Sequence, residues 1–238
     1  MSNNYFQFKQ FTVYQDKCAM KVCTDACLFG ALLPSYLLKD EHAVLDIGTG
    51  TGLLSLMYAQ KNTNAIIDAV EIDKPASEQA KANFTTSPWA GRLHIFNTDI
   101  LSFNPGKEYD RIISNPPFFE DDLKSPDEPR NNAKHDTALS LMQLLQFAET
   151  HLSENGIFAV LLPYHRVNYF IEEAARSGLY LNQQILVKQS GRHDFFRGIL
   201  FFSRPKAQLP DMEISIKNNE GSYTDAFITA LKDYYLYL

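Results

Sequence analysis

Cysteine is scarce. The 238 residues contain three, Cys18, Cys23 and Cys27. They form no CxxC pair and have no histidine close by in sequence, so neither a metal site nor a disulfide framework is indicated. Reduced thiols packed as small apolar side chains are expected instead. Long apolar runs are also missing. No stretch of about 18 apolar residues exists, so no membrane-spanning helix is expected. Residues 1–10 are polar and aromatic. They lack the apolar core of a signal peptide, and a cytoplasmic protein is expected. Basic excess is the third absence. Lys and Arg number 22 against 28 Asp and Glu, a net charge of −6. That balance counts mildly against a nucleic-acid partner, whose phosphates draw on cationic surface.

What is present is an ordinary globular composition, 45% hydrophobic and 21% charged, without internal repeats or low-complexity segments. Short apolar runs alternate with helical patterns. Strands are expected at Ala43–Ile47, 65–72, 92–97, Tyr109–Ser114, 156–162, 180–189 and 198–203, with a possible short one at 212–216. Helices are expected at Leu53–Lys61, from Pro75 to about 85, at 137–152, at 166–177 closed by Gly178, and at 223–235. Residues 120–136 are polar, contain Pro126 and Pro129, and read as a loop. Repeated βα units with buried strands imply a parallel sheet with helices on both faces. The last two β segments lack an intervening helix, so a hairpin closing one edge and a mixed sheet are expected. Residues 1–38 are expected to cap the site, 39–206 to form the core, and 207–238 to pack on it as an extension.

The first strand runs into Asp46-Ile47-Gly48-Thr49-Gly50-Thr51-Gly52 and then a helix. Open α/β sheets bind nucleotides there, beyond the carboxyl ends of the strands. The spacing is GxGxG with Leu53 following, not the GxGxxG of a dinucleotide site, which disfavours an NAD oxidoreductase. A carboxylate beside the turn repels a pyrophosphate but suits a cation. S-adenosyl-L-methionine, with its ammonium and sulfonium, fits. Glu71 ends the second strand, where a carboxylate can accept from both ribose hydroxyls. Asp99 follows the third strand, in reach of an adenine amino group or serving as a turn former. Asp73 is expected to cap the next helix.

Asn115-Pro116-Pro117-Phe118 ends the fourth strand at the same edge. The double proline fixes a rigid turn and frees the Pro116 carbonyl to face a ligand. With the Asn115 side-chain carbonyl it offers two acceptors for a planar NH2 group. Contacts of this kind strengthen as charge develops on nitrogen during transfer. Phe118 supplies a stacking face.

These motifs, DIGTGTG at 46–52, VEID at 70–73 and NPPF at 115–118, resemble class I S-adenosylmethionine-dependent methyltransferases of exocyclic amines. Other segments narrow the likeness. They are Phe8, Phe11 and Val13, the run Met20 to Ala26, Leu28 to Ala31, Ser87-Pro88-Trp89, Arg130, His135 and Leu161-Leu162-Pro163. Together they resemble the bacterial family that methylates N6 of adenosine 37 in valine tRNA. That family often has glycine where Cys23 and Ala26 stand. The resemblance implies a Rossmann-like fold, α/β, with a mostly parallel seven-stranded sheet, one antiparallel strand and helices on both faces. It also implies that Lys21, Thr24 and Asp25 line the S-adenosyl-L-methionine pocket, with an ordinary helix start at Thr24 or Asp25 as the less favoured alternative.

A tRNA substrate needs local basic surface. Residues 186–206 carry five bases and one acid, while 39–110 carry ten acids and six bases. Lys188, Arg192 and Arg197, with Phe195 among them, are therefore candidate substrate contacts, together with Phe118 and His135. Arg204 and Lys206 extend the strip. A glutamine-N5 methyltransferase of a protein, an rRNA or DNA adenine methyltransferase, and a noncatalytic cofactor-binding module stay open as alternatives. No metal, membrane or obligate protein partner is inferred.

Overall fold

The computed structural model describes residues 3–18, 21–36, 41–116 and 139–238. Two short strands, β1 (Tyr5–Gln7) and β2 (Thr12–Tyr14), pair antiparallel at the start, and α1 (Thr24–Leu32) follows. The core then alternates strand and helix. It comprises β3 (Ala43–Ile47), α2 (Leu53–Lys61), β4 (Ile66–Glu71), α3 (Lys74–Thr85), β5 (Leu93–Asn97), β6 (Tyr109–Ser114), α4 (Leu141–His151), β7 (Leu152–Pro163), α5 (Val167–Arg176), β8 (Tyr180–Ser190) and β9 (Phe195–Ser203). The tail adds β10 (Met212–Lys217) and α6 (Asp225–Leu231).

Local chemistry sets these boundaries. Asp73 caps α3 by accepting from the Ala76 N–H at 3.0 Å, as expected, and Pro75 sits in the first turn. Ser140 and Gln143 form a reciprocal capping box on α4. Gly178, at φ +79°, ends α5. The Asn62 side chain accepts from the N–H groups of Asn64 and Ala65 and turns the chain from α2 into β4.

The sheet order is β10-β8-β9-β7-β6-β3-β4-β5. Only β9 runs against its neighbours, pairing antiparallel with β7 and β8, so the expectation of one reversed strand holds. The strand count is corrected from seven to eight, because β10 adds in parallel outside β8. The β8–β9 hairpin therefore forms as expected but does not close the edge. Residues leading to β10 are tied to β8 by Leu209 N–H to Asn182 O at 2.8 Å. Strand β7 starts at Leu152 rather than 156, its early part meeting β6 through an irregular register. Helix α6 is shorter than 223–235, since residues 223–224 cross to β10 as a bridge and cap.

Two apolar clusters cover the sheet faces. One joins α1, α2, α3 and α6 to the sheet, and the other joins α4 and α5. The β1–β2 pair and the tail meet over α1, with the Phe8 and Phe11 rings stacked at 4.5 Å and Tyr235 beside Phe8. Arg111 and Glu41 are buried at the start of β3 and β6, joined Nε to Oε1 at 3.1 Å. That pair lies at the amino ends of the strands, away from the glycine loop.

Candidate active site

Parallel pairing brings the strand ends to one edge. Ile47 of β3 lies abreast of Val70 and of Ser114, and Glu71 lies abreast of Asn97. The residues just beyond them, Gly48, Glu71, Asp99 and Asn115, consequently share that edge. The Ser114 hydroxyl donates to the Ile47 carbonyl at 3.0 Å and clamps β6 to β3 directly beneath it.

The glycine loop is built on positive φ. Gly48, Gly50 and Gly52 have φ of +68°, +56° and +82°, a region L side chains rarely enter. A Cβ on Gly48 or Gly50 would meet nothing within 4 Å, whereas one on Gly52 would lie 2.4 Å from Phe84 Cε1. Two glycines thus face clear space and the third packs helix α3. Gly48 N–H and Thr49 N–H both donate to the Val70 carbonyl, at 2.9 and 3.2 Å. The Glu71 carboxylate holds the loop from the other side, accepting from Gly50 N–H and Asp73 N–H at 2.9 Å each.

Asp46 is fully buried beneath the loop. Its Oδ2 accepts from Thr49 Oγ1 at 2.6 Å and Ser55 Oγ at 2.7 Å, while Oδ1 has no partner among the described residues. Burial pushes its carboxyl up to about 6, against the pull of the two hydroxyls. Asn115, the residue after β6, has a buried Oδ1 that also has no partner among the described residues, and Pro116 is buried beside it. An unpaired buried acceptor costs about 1–3 kcal/mol, so two of them around one loop mark a place shaped for a donor or cation. Asp99 Oδ1 accepts from Leu101 N–H at 2.9 Å and caps a single 3-10 turn. Pro117, Phe118 and His135 lie outside the described residues.

Before the first core strand, Lys21 is exposed and Thr24 and Asp25 begin α1. Asp25 is buried and accepts from Arg197 Nε at 2.8 Å. The structure thereby joins two residues assigned separately, Asp25 to the cofactor and Arg197 to the substrate. Three more residues of the basic strip are likewise tied. Lys188 reaches Glu213 at 3.4 Å and sits 4.1 Å from the Phe195 ring. Arg204 donates to the Glu149 and Leu152 carbonyls at the end of α4, and Lys206 lies over Tyr180. Arg192 stands exposed at the hairpin tip. Lys188 and Arg197 are thus paired at the carboxyl end of β7, near exposed Arg192, whereas Arg204 and Lys206 lie at the opposite end of the sheet, beside the starts of β7 and β8.

The cysteines behave unequally. Cys27 is buried in the core as expected, but Cys18 is half-buried and Cys23 exposed. Burial pushes Cys27 up to about 12 and Cys18 to about 11, so neither is a thiolate nucleophile at neutral pH. Among the described residues no helix is long and apolar enough to cross a membrane.

A Rossmann-like sheet with a GxGxG loop at its switch edge and an acidic residue ending the next strand defines a class I methyltransferase. Residues 29–173 match the Methyltransferase small domain family. Two solved structures share the fold. A glycopeptide N-methyltransferase complexed with S-adenosyl-L-methionine has a TM-score of 0.57 at 11% identity, over 76% of this chain and 95% of that one. A Pyrococcus furiosus methyltransferase has 0.56 at 23%, over 81% and 88%. Sequence relatives reach further. The tRNA1(Val) (adenine(37)-N6)-methyltransferase of Bacteroides fragilis is 40% identical over 99% of each chain. That of Dyadobacter fermentans is 41% identical over 98% of each. The chain belongs to this family of tRNA1(Val) (adenine(37)-N6)-methyltransferases. The residues present fit S-adenosyl-L-methionine as cofactor, with open space over Gly48 and Gly50 and the unpaired Asp46 Oδ1 beneath.

Proposed function

We propose that this chain methylates the exocyclic N6 of adenine 37 in tRNA1(Val), in the cytoplasm, using S-adenosyl-L-methionine. The single observation that carries the reading is the buried, unpaired Asn115 Oδ1 on the edge shared with the glycine loop. When bound, the cofactor supplies a methyl on a sulfonium. The backbone of Gly48 and Gly50 would let the ligand approach closely, Glu71 would accept from the ribose, Asp99 from the adenine amino group, and Asp46 would offset positive charge. Lys21, Thr24 and Asp25 line the pocket from residues 1–38, with Arg197 fixing the Asp25 carboxylate.

Asn115 Oδ1 and the Pro116 carbonyl accept from the two amino hydrogens of the target base. This holds the nitrogen as its lone pair turns toward the methyl. In-line placement supplies much of the remaining acceleration. After transfer the nitrogen is acidic and releases a proton to water, so no general base is required beforehand. Phe118 stacks the base.

The reading is tested with labelled S-adenosyl-L-methionine and total tRNA from a strain lacking the gene. Labelled N6-methyladenosine is expected on nucleoside analysis. Label appearing in a protein glutamine, in rRNA or in DNA instead of tRNA overturns the reading. Binding of cofactor without any transfer also overturns it.

Asp46 gives a pH dependence with a definite sign. In the ligand-free chain its raised value means that the folded state holds this proton more tightly than the unfolded one. Stability therefore falls as pH rises from the ordinary 3.8 to about 6. A cation in the loop favours the ionised carboxylate, so cofactor affinity runs the other way. Affinity is expected to tighten roughly tenfold from pH 5 to pH 7, and Asp46→Asn to flatten that trend. Titration calorimetry at the two pH values decides it; equal slopes in both proteins exclude Asp46 from charge compensation.

A further inference from the structure

The rim beyond β7 carries a ring that the cofactor loop and Asn115 do not use. Strand β7 ends at Pro163, and a 3-10 turn, Tyr164–Arg166, leads into α5. Tyr164 is 42% exposed, and Tyr169, on the following helix, is 45% exposed. A lone exposed tyrosine is unremarkable surface. Tyr164 is not alone. Its ring lies 5.3 Å from that of Phe195, tilted by 44°. The Lys188 ammonium sits 4.1 Å from the other partner in this group, the Phe195 ring. Pairing of Pro163 with Arg197, and of Lys188 with Phe195, fixes the group on the sheet. Exposed Arg192 and His193 stand at the adjoining hairpin tip.

Position gives the group its meaning. β7 is the strand next to β6, and Val160 lies abreast of Ser114. With about 5 Å between strands and about 3.3 Å per residue, Tyr164 stands roughly 11 Å from Asn115, mostly further out along the direction of β7. An adenine turned out to meet Asn115 leaves its neighbouring nucleotide near this ring. An exposed aromatic face backed by a second ring and bordered by cations is the chemistry that binds unstacked bases in single-stranded RNA.

We propose that Tyr164, backed by Phe195 and Lys188, is a positioning residue that stacks the base flanking the target adenine in the RNA substrate. The proposal rests on the methyl-transfer reading and names how that site holds its substrate. Stacking orders the loop around the extruded base, and Arg192 meets a phosphate beside it.

The test uses the full chain, S-adenosyl-L-methionine and unmodified tRNA. Tyr164→Ala is expected to raise KM for tRNA roughly tenfold, as when a base–aromatic stack is lost. Its kcat and cofactor affinity stay near those of the unaltered chain, and Tyr164→Phe retains the original KM. The salt dependence of tRNA binding is unchanged by Tyr164→Ala, whereas Arg192→Ala lowers the slope by about 0.7–0.9. An anticodon stem-loop with 2-aminopurine beside the target adenine adds a spectroscopic readout. Binding quenches its fluorescence with the unaltered chain and with Tyr164→Phe, and Tyr164→Ala abolishes the quench. A purely structural Tyr164 leaves the quench intact. Unchanged KM and quench in Tyr164→Ala overturn the platform while tRNA methylation stands. Absence of N6-methyladenosine with the unaltered chain overturns the methyl-transfer reading, and the platform with it.

Discussion

Replacing Asn115 with alanine is expected to lower kcat by about two to three orders of magnitude, the usual cost of removing one preorganised transition-state hydrogen bond. The folded protein already contains the reason. Among the described residues Asn115 Oδ1 is buried without a partner, an arrangement that costs stability in the free chain and is repaid only when a donor arrives. Alanine removes that cost, so thermal stability is expected to stay level or rise while turnover collapses. Cofactor affinity is expected to change by less than about twofold, because the contact is made to substrate nitrogen and strengthens in the transition state. Asn115→Asp keeps an acceptor oxygen and is expected to fall between the two. Single-turnover methylation measured beside melting curves and cofactor titration separates these effects. Wild-type turnover in Asn115→Ala removes the residue from the mechanism. A collapse of turnover accompanied by a fall in melting temperature makes its role structural.

Much of the frame was legible because the period of the apolar pattern decides strand or helix locally. The expected limits of β3, α2 and β6 coincide with those observed. What failed locally were pairings between distant segments. The run at 212–216 reads as a possible strand, but nothing in it says that the outer edge of β8 is open to receive it. Ser153-Glu154-Asn155 falls between the expected helix at 137–152 and the expected strand at 156–162, yet in the sheet it belongs to β7, against an irregular stretch of β6. The β1–β2 pair has three residues per strand, too few for alternation to be visible.

The site shows the same division. The glycine loop, Asp46, Glu71 and Asn115 are motif residues and stand on one strand edge. Arg197 reads as a candidate substrate contact because it falls in the basic strip at 186–206. Its partner Asp25 is 172 positions away, and only the fold shows the pairing. Glu71 carries more than its motif suggests, since its carboxylate holds Gly50 and Asp73 in place. Tyr164 gave no signal of its own. A tyrosine after a strand-ending proline is common, and its meaning comes from Phe195, across the β7–β9 pairing.

The three loop glycines look equivalent in sequence and are expected to fail differently. Gly52 begins α2 from the left-handed region, at φ +82° and ψ 13°. An L residue there costs about 1–2 kcal/mol. Its Cβ would also lie 2.4 Å from Phe84 Cε1, and Phe84 is buried in the core. Making room by moving a packed ring adds about 1–3 kcal/mol. Gly52→Ala is therefore expected to lose about 3–4 kcal/mol and to lower the melting temperature by about 10 °C in a chain of this size. Gly48, at φ +68°, faces clear space. Gly48→Ala bears only the backbone cost in the free chain, but its methyl occupies the approach to the ligand. Its melting temperature is expected to fall by only a few degrees, about 2–4 °C per kcal/mol, while cofactor affinity drops about tenfold or more. Differential scanning calorimetry without cofactor, followed by titration calorimetry with it, separates the two. Equal losses of stability in both variants remove Phe84 from the account. An undiminished affinity in Gly48→Ala shows that the ligand does not lie over this glycine, and moves the cofactor away from the face on which Asp46 and Asn115 hold their unpaired oxygens.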